Sequence, residues 1–441
     1  MLREIDKVSE IPKVAIVGAG IGGMAAAFDL ARAGRKVTIF EAADYVGGLA
    51  SGFIEPHWDW SVEKYYHHWF ASDHHMFELM DQLGFREDVI FPRPYTVMYH
   101  QGKFYPFDSI TAALLFPGLG WGINKVRFGL VGLYLRLTNN WHALEKTTVD
   151  SWMRMWAGDK VYEMMWEPLM VGKFGSHYKE VNMAWMWARL KARTTRLGTF
   201  KGGFQAFADR FAERLSEMEV DIQLSTPVHH ISTGSEVGLN LETESGTLEF
   251  DQVLVTTSPG LLAQIAPNLK ADYIEGLLRL KSTGAVVMVL SLNQQLSRDG
   301  YYWFNVPKDA GFPFLALVEH TNFLSSDYFG GDHIVYCGDY VDPDHEYFSL
   351  SEEALLERFL AVLPKFNPDF KPEWVRKTWL FRTKYAQPVP EVNHSQNIPA
   401  INTPISGLFF ASMSQVYPWD RGTNFAVEIG KKAAKMMISA G

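Results

Sequence analysis

The length, charge and cysteine content of the chain limit its fold and its partners. Its 441 residues exceed what one compact core usually holds, so we expect two domains. A net charge of -9, without a run of basic residues, argues against nucleic-acid binding. The single cysteine, Cys337, excludes an internal disulfide and a cysteine-based metal cluster. Its apolar neighbours at 334–338 predict a buried structural thiol.

No segment predicts a secretion signal or a membrane-spanning helix. Residues 1–6 lack the apolar stretch of a signal peptide, and no run reaches about 18 apolar residues. The uncharged stretch 109–124 and the amphipathic stretch after it are compatible with a place on a membrane surface. The pattern favours the alternative, an internal helical pair that covers a pocket. We therefore expect a cytoplasmic protein and leave peripheral membrane contact through 109–136 open.

A glycine motif near the start of the chain predicts a dinucleotide-binding turn. An apolar run at 13–17 leads into Gly18, Gly20 and Gly23, and a helix-compatible stretch follows at 24–32. Gly18 permits a tight turn, Gly20 lets the backbone approach a pyrophosphate, and Gly23 lets the helix pack closely on the strand. The start of the helix then offers unpaired N–H groups to the phosphates.

The second strand of this β-α-β unit ends in a carboxylate. Residues 36–40 read as a strand, and Glu41 follows it 18 positions after Gly23. That spacing is close to the value of about 20 expected for an acid that binds the ribose.

Hydrophobic periodicity and turn residues predict the remaining elements. Helices are expected over 75–83, 141–156, 161–170, 183–192, 204–215 and 423–437. Strands are expected over 220–224, 228–232, 238–244, 247–250, 252–256 and 407–412, with further strands between 285 and 337. The strand that returns near the C-terminus indicates a domain built from separated pieces of the chain.

A second glycine pair, Gly47–Gly48, lets another loop approach the cofactor. With it, the chain resembles the superfamily of flavin-dependent amine oxidases, protoporphyrinogen oxidases and phytoene desaturases. Further motifs of that superfamily are matched at 201–204, 225–228, 253–259, 407–413 and 422–430. The resemblance implies FAD as the cofactor, because members bind FAD at this fingerprint.

The resemblance also implies an α/β fold with a discontinuous architecture. We expect a Rossmann-like FAD-binding domain of glutathione-reductase type, built from 1–105, 200–280 and 390–441. A substrate-binding domain of helices and a mixed or antiparallel sheet, with a helical subdomain, would comprise 106–199 and 281–389. The residues implied to bind FAD are Gly18, Gly20, Ile21, Gly22, Gly23, Glu41, Ala42, Gly47, Gly48, Leu49, Ala50, Val228, Thr256, Ser412, Met413, Gly422, Thr423, Asn424 and Phe425. Thr423 and Asn424 are also good helix N-cap types, so a helix is expected to start there.

The sequence departs from the superfamily pattern at two places. Ser412–Met413 stands where the family usually has Gly-Asp, whose carboxylate holds the ribityl chain. Leu49 stands where Arg or Lys usually follows the second glycine pair, so the amine oxidase branch is a poor specific match. The histidine-rich stretch 58–70 lies where UDP-galactopyranose mutases carry theirs beside the flavin, and 417–422 also resembles mutase-like proteins.

Candidate catalytic residues come from the histidine-rich stretch, a strand end and the loops before the last helix. His67 or His68 is a candidate acid, base or flavin hydrogen-bond partner, and the alternative is a structural pair. Glu319 and His320 end an apolar run, and such a pair often faces a cavity. Arg421 is a candidate for an anionic substrate group or for a pair with Asp420. The full set of candidates is His67, His68, Glu319, His320, Tyr385 and Arg421, with Tyr417 and Asp420 beside them.

The other histidines are expected to be noncatalytic, and no metal site is predicted. His74 and His75 follow a predicted helix cap at 72–73 and are expected at the surface. His229 and His230 are expected at the adenine edge or the surface. No carboxylate spacing supports metal binding by these histidines.

Three functions stay open at this level. The leading hypothesis is an FAD-dependent oxidoreductase that removes hydride from an organic, isoprenoid or polycyclic substrate. The second is a redox-neutral mutase or isomerase of a nucleotide sugar. The third is a noncatalytic carrier of a prenyl-type ligand, against which the intact glycine motif argues. A small-molecule substrate is the expected partner.

Overall fold

The computed structural model describes residues 11–120, 122–192, 194–234 and 238–440. The strands, numbered in chain order, are β1 (Lys13–Val17), β2 (Lys36–Phe40), β3 (Gly52–Phe53), β4 (Val62–Glu63), β5 (Trp69–Phe70), β6 (Val89–Ile90), β7 (Thr96–His100), β8 (Lys103–Pro106), β9 (Leu197–Phe200), β10 (Asp221–Gln223), β11 (His230–Thr233), β12 (Leu239–Thr243), β13 (Gly246–Phe250), β14 (Gln252–Val255), β15 (Ser282–Leu292), β16 (Trp303–Asn305), β17 (Ala316–Glu319), β18 (His333–Val341), β19 (Val375–Pro388) and β20 (Leu408–Phe410). The helices are α1 (Ile21–Arg32), α2 (His74–Leu83), α3 (Ile110–Leu115), α4 (Ile123–Leu137), α5 (Trp141–Leu144), α6 (Val149–Ala157), α7 (Asp159–Val161), α8 (Glu167–Phe174), α9 (Met183–Ala192), α10 (Gly203–Glu217), α11 (Pro259–Ile265), α12 (Ala271–Arg279), α13 (Glu352–Leu360) and α14 (Thr423–Ala440).

A five-stranded parallel sheet carries the glycine motif. Its order is β10-β2-β1-β14-β20, so the first strand of the chain lies at the centre. Val17 at the end of β1 pairs with Phe40 on one side and Val255 on the other. The carboxyl ends of these strands therefore meet at one edge, where ligands bind in open parallel sheets. The predicted α/β fold class is confirmed, and the last strand comes from near the C-terminus as expected.

A seven-stranded sheet forms the second large unit, in the order β19-β15-β18-β17-β16-β7-β8. Only the pair of β16 and β7 is parallel, and the other neighbours are antiparallel. Strands β7 and β8, which the sequence assigned to the cofactor-binding part, lie in this sheet. The pairing of Thr96 with Trp303 brings these two strands, which begin before the boundary expected at 105, into the second sheet. Cys337 is buried in this sheet, as expected.

Smaller sheets and a helical layer complete the fold. The small sheets are β11-β12-β13, β3-β4 and β5-β9-β6. Helices α4 to α9 share a core of Met, Trp and Val side chains. The single helix expected over 141–156 is broken: α5 ends at Leu144, Glu145 turns inward to accept hydrogen bonds from Ser395 and Tyr417, and the backbone of 147–149 pairs with that of 181–183. Thr148 then caps a new helix, α6, by accepting a hydrogen bond from the Ser151 amide.

The segment that was compatible with membrane contact forms α3 and α4. One side of α4 packs on α6 and α9 through the buried Val131 and Leu135. The opposite side carries a row of exposed apolar residues, which we call the α4 stripe: Ile123, Val126, Leu130, Leu133 and Leu137. The helical pair that the sequence predicted is therefore internal on one side of α4 only. In the described part of the chain, no helix is long and apolar enough to cross a membrane.

Candidate functional site

The turn after β1 can be formed only with glycine at two positions. Gly18 has a φ of +108°, a conformation that L side chains rarely adopt, and its amide donates to the Phe40 carbonyl at 2.8 Å. A Cβ at Gly23 would lie 2.1 Å from the Gly18 carbonyl oxygen, so a side chain there would push α1 off the turn. Gly22 has another role, because Gly430 of α14 packs directly on its backbone and a Cβ at Gly430 would lie 2.2 Å from the Gly22 oxygen.

Gly20 differs from its neighbours, because nothing in the described protein requires a glycine there. Its φ of -70° suits any residue, and a Cβ would meet no atom within 4 Å. The second glycine pair borders the same space, since a Cβ at Gly48 would lie 3.2 Å from the Gly20 Cα. Gly47, with a φ of +108°, donates its amide to the Ala19 carbonyl at 2.9 Å. Two loops thus leave an open space at the start of α1, as a pyrophosphate requires.

Glu41 stabilises this turn and can still accept a hydrogen bond from a ligand. Its carboxylate accepts the Ala19 amide at 2.8 Å and the Ala43 amide at 2.9 Å, and the side chain stays half-buried. An ionised carboxylate has about four acceptor sites, so a ribose hydroxyl can still donate to it. Ala42 beside it is exposed.

The other residues named for the cofactor fall into two groups. The side chains of Ile21 and Ala50 are buried in the core, so only their backbone can face a ligand, whereas Leu49 is half-buried at the loop. Thr256 donates its hydroxyl to the Val17 carbonyl at 3.0 Å and lies beside the Gly18 turn, which makes it a support for the turn. Val228 packs in the core beside Phe40 and Val255.

The start of α14 is tied to the histidine-rich stretch. Thr423 accepts a hydrogen bond from the Trp69 indole at 2.9 Å, and Asn424 accepts one from the Met76 amide at 3.1 Å. Because α14 begins at Thr423, neither residue stands at the N-cap position that the sequence suggested. Asn424 instead supplies an acceptor to the first turn of α2, and the Gly422 carbonyl accepts the first amides of α14. Phe425 stacks on Trp419 next to this turn.

Ser412 and Met413, which replace the usual Gly-Asp, form a short turn after β20. The Ser412 amide donates to the Gln415 side chain at 2.7 Å, and the Gln415 amide group donates to the Phe410 carbonyl. The loop is thus held by Gln415 rather than by a carboxylate.

Five side chains lie deep in the protein and still keep solvent-accessible surface. They are Tyr66, His67, Tyr385, Asp420 and Arg421. From these deep groups that keep accessible surface we infer an internal space, which we call the central cavity. It lies between the start of α14 and the seven-stranded sheet, because Arg421 bonds Tyr340 of β18 and Gln387 of β19.

His67 faces the cavity as a neutral ring. Its Nδ1 bonds the Tyr65 carbonyl, which can only accept, so Nδ1 carries the proton and Nε2 is an acceptor. Burial, with the nearby Arg421 charge, lowers the pKa of His67 to about 4. His68 points elsewhere and packs its ring near Phe70 and Trp303.

Tyr385 and the 420–421 pair connect the loop before α14 to the second sheet. Tyr385 bonds the Ser414 hydroxyl at 2.6 Å, and burial raises its pKa. Asp420 accepts the Trp185 indole at 2.9 Å and the Arg421 amide at 3.0 Å. Burial alone would raise the pKa of Asp420, but nearby cations hold it at about 2.

Glu319 and His320 do not face the cavity, contrary to expectation. Glu319 is fully buried, and its oxygens accept the amides of Leu296 and Ser297, both at 2.7 Å. His320 lies among the rings of Phe329 and Tyr336, and burial lowers its pKa to about 4. The strand end that was expected to open on a cavity instead secures the turn after β15, so both residues are left out of the candidate site.

The remaining candidates have local partners. His75 pairs with Glu428, and His230 with Glu242, at 3.5 and 3.3 Å. His74 and His229 are exposed. Tyr417 donates to Glu145 at 3.1 Å, away from the cavity. The described residues contain no group of His, Cys, Asp or Glu side chains that could hold a metal ion.

The family model described as flavin containing amine oxidoreductase matches residues 21–438 of the chain. The chain belongs to this family. It is an FAD-dependent oxidoreductase, and FAD is its cofactor. The open space at Gly20, the free capacity of Glu41 and the second glycine loop fit that cofactor.

One relative of this flavoprotein matches a short segment of the chain, and another aligns along almost all of it. The zeta-carotene desaturase of Synechocystis sp. is 34% identical over 77 residues, which are 18% of this chain and 16% of that relative's length. The 15-cis-phytoene desaturase of Synechococcus elongatus is 23% identical over 472 aligned positions, covering 97% of this chain and 96% of the relative.

Solved structures share the whole fold at low identity. A putative protoporphyrinogen oxidase from Exiguobacterium sp. 255-15 has a TM-score of 0.77 at 19% identity, covering 98% of this chain and 99% of that one. A reduced UDP-galactopyranose mutase has a TM-score of 0.75 at 15% identity, covering 98% and 96%. Both likenesses concern the fold, so neither fixes a substrate.

Several residues of the candidate site of this flavoprotein were missed from sequence. They are Tyr66, Lys173, Arg189, Tyr340 and Gln387. Each sits in an ordinary helical, strand or aromatic context, and no local motif marks it. Only the convergence of α8, α9, β18 and β19 on the loop before α14 brings them together.

Proposed function

We propose that this flavoprotein removes hydride from a substrate with a largely apolar carbon skeleton, held in the central cavity. The observation that carries the proposal is the aromatic border of the cavity, where Tyr66 packs against Trp303 and Tyr336. Bound FAD supplies the hydride acceptor. The cavity supplies apolar walls, hydrogen bonds and the positive charge of Arg421.

The pKa values of four groups at the cavity border argue that none of these four is the base of the reaction. The pKa of His67 is about 4 and that of Asp420 about 2, while burial raises the pKa values of Tyr66 and Tyr385. Efficient general acid–base catalysis near neutral pH favours a group with a pKa close to 7. None of these four groups meets that condition. The proton lost together with the hydride would leave through solvent.

The aromatic surroundings support an apolar substrate skeleton. Tyr66 packs edge-on against Trp303 at a centroid distance of 5.0 Å and against Tyr336 at 5.8 Å. His67 lies 5.8 Å from the Phe204 ring. Aromatic faces of this kind bind hydrocarbon surface.

The experiment is anaerobic mixing of the FAD-loaded protein with isoprenoid and polycyclic compounds. The proposal expects bleaching of the oxidised flavin spectrum and a product lighter by the hydride and the proton. Turnover only by prereduced enzyme, with a product isomeric to its substrate, would instead support the mutase alternative.

We further propose that the α4 stripe rests on an anionic membrane, from which an apolar substrate would enter. The stripe residues follow the spacing of one helix face, yet no described residue of the chain covers that face. Residues 109–144 contain no acid, while Lys125, Arg127 and Arg136 give this segment a positive charge in a chain of net charge -9. Apolar area flanked by basic residues is the pattern of a helix lying in an anionic lipid interface.

Vesicle sedimentation tests the membrane proposal with a matched pair of variants. Leu130 and Leu278 are equally exposed, at 60% and 62%, but only Leu130 lies in the stripe. Leu130→Glu is expected to lose binding to phosphatidylglycerol-containing vesicles, and Leu278→Glu to retain it, with equal FAD content. Failure of the wild-type protein to sediment with these vesicles would refute the proposal. A shift of Leu130→Glu from dimer to monomer would assign the stripe to a second copy.

A further inference from the structure

Three cationic side chains converge on one carboxylate at the border of the central cavity. They are Lys173 of α8, Arg189 of α9 and Arg421 before α14, and the carboxylate is Asp420. Lys173 is 7% exposed, which is rare for a lysine. Among these four groups the positive charge exceeds the negative charge by two.

One amide oxygen holds two of the cations close together. The Lys173 ammonium and the Arg421 Nε both donate to Oε1 of Gln387, at 3.1 and 3.0 Å. Both cations also lie against the Tyr340 ring, at 4.6 and 5.2 Å from its centroid, and Arg421 donates to the Tyr340 hydroxyl. Two like charges in a buried place repel each other, and a neutral amide does not offset that repulsion.

The carboxylate is already occupied. Oδ1 of Asp420 accepts the Trp185 indole, the Arg421 amide and, at 3.3 Å, the Gln387 amide group. Its other oxygen lies 3.7 Å from the Arg189 guanidinium. One carboxylate engaged in this way leaves the region facing the cavity electropositive.

Arg421 brings this charge to the cavity surface. It keeps accessible surface, and burial together with the nearby Arg421 charge lowers the pKa of His67. The next residues start α14, whose N-terminal dipole adds partial positive charge on the same side. A protonated amine would be repelled here, whereas an anion would gain charge-assisted hydrogen bonds.

We propose that Arg421, supported by Lys173 and Arg189, forms a subsite for an anionic group of the substrate, a carboxylate or a phosphate. The substrate is then amphipathic, with an apolar skeleton and an acidic head. Arg421 is the binding residue, and Lys173 and Arg189 are positioning residues. The inference rests on the proposed function for the identity of the cavity, but it concerns binding and not turnover.

Binding to the FAD-loaded protein tests the subsite without turnover. The probes share one apolar tail: octanoate, octyl phosphate, octylamine and octanol. The measurement is the dissociation constant from the change in the flavin spectrum or in calorimetry. We expect one of the anions to bind on the order of tenfold or more tightly than octanol, and octylamine to bind no better than octanol. The tighter of the two anions identifies the head group.

Variants assign the effect to Arg421. Arg421→Gln is expected to lose the preference for the anion while octanol binding changes less than about twofold, and Arg421→Lys to keep most of the preference. The control, Lys281→Gln, removes a cation paired with Glu180 and Glu391 away from the cavity and is expected to behave like wild type. If Arg421→Gln does not fold, Arg421→Lys against wild type in rising salt still measures the charge dependence.

The two proposals fail in different ways. Equal binding of the anions and octanol to wild type, or an unchanged preference in Arg421→Gln, overturns the subsite. Strong anion binding combined with no flavin bleaching by any oxidisable compound would keep the subsite and overturn the proposed hydride removal.

Discussion

Replacing Gly20 by alanine separates what the fold needs from what the cofactor needs. The structure predicts that Gly20→Ala leaves the folded apoprotein intact, because the new Cβ would meet no atom within 4 Å at a φ of -70°. The same Cβ would occupy the space where the backbone approaches the pyrophosphate. Gly23→Ala is the contrast, since its Cβ would lie 2.1 Å from the Gly18 carbonyl oxygen.

The expected magnitudes follow from these contacts. Alanine is a poorer N-cap than glycine, which destabilises the folded state by roughly 0.5 kcal/mol. Alanine also lowers the conformational entropy of the unfolded chain, which stabilises the folded state by about the same amount. The unfolding free energy of apo Gly20→Ala is therefore expected to change little. An extra methyl against a close-fitting ligand costs about 1–3 kcal/mol, which weakens FAD binding by about 5- to 150-fold. Gly23→Ala is expected to lose at least about 1–3 kcal/mol of stability before any ligand is added.

The assay combines urea unfolding of deflavinated protein with an FAD titration followed by quenching of flavin fluorescence. Gly276→Ala is the control, because this helical glycine also has no atom within 4 Å and lies far from the turn in sequence. An FAD dissociation constant for Gly20→Ala equal to that of wild type would refute the placement of the pyrophosphate. A loss of several kcal/mol in its apo stability would show that the protein itself requires the glycine.

Three further predictions concern stability. Gly430→Ala should lower the unfolding free energy by about 1–3 kcal/mol in urea titrations, since its Cβ would lie 2.2 Å from the Gly22 oxygen; an unchanged midpoint would contradict the close contact of α1 and α14. Thr423→Val should cost about 1 kcal/mol by leaving the Trp69 indole without its acceptor, and an equal thermal midpoint would argue against that bond. The folded pKa of Asp420, about 2, lies below its ordinary value of 3.8, so its contribution of about 2 kcal/mol is present above pH 4 and is lost as the pH falls from about 4 to about 2. The stability difference between wild type and Asp420→Asn should therefore shrink over that window, and a constant difference would contradict the assignment.

Local sequence was sufficient for the elements whose determinants are close together in the chain. The β-α-β unit, the two glycine loops and Glu41 could be located because a turn, a strand end and a helix start each have a short signature. The same holds for α9, whose observed bounds of Met183–Ala192 match the predicted ones. The break of the helix over 141–156 could not be anticipated, because it depends on remote segments: the backbone of Thr147 and Val149 bonds that of Met183 and Val181, and Ser395 donates a hydrogen bond to Glu145.

The candidate site also shows that local sequence fails where remote segments decide the outcome. Sequence located His67, Tyr385 and Arg421, each near a recognisable motif. It placed Glu319 and His320 at a cavity by the rule for strand ends, but the turn after β15 folds over that end and buries both. Lys173 and Arg189 carry no local signal, since a cation in a helix is usually a solvated residue.

The sequence by itself determined the family and the cofactor, and it predicted the place where the phosphates bind. These depend on backbone geometry over a few adjacent residues, which glycine spacing encodes directly. Only the tertiary structure decided which charges meet in the central cavity and which apolar residues of α4 stay uncovered. Those properties depend on helices and strands remote in sequence, whose packing creates an electrostatic field and an exposed face that no single segment contains.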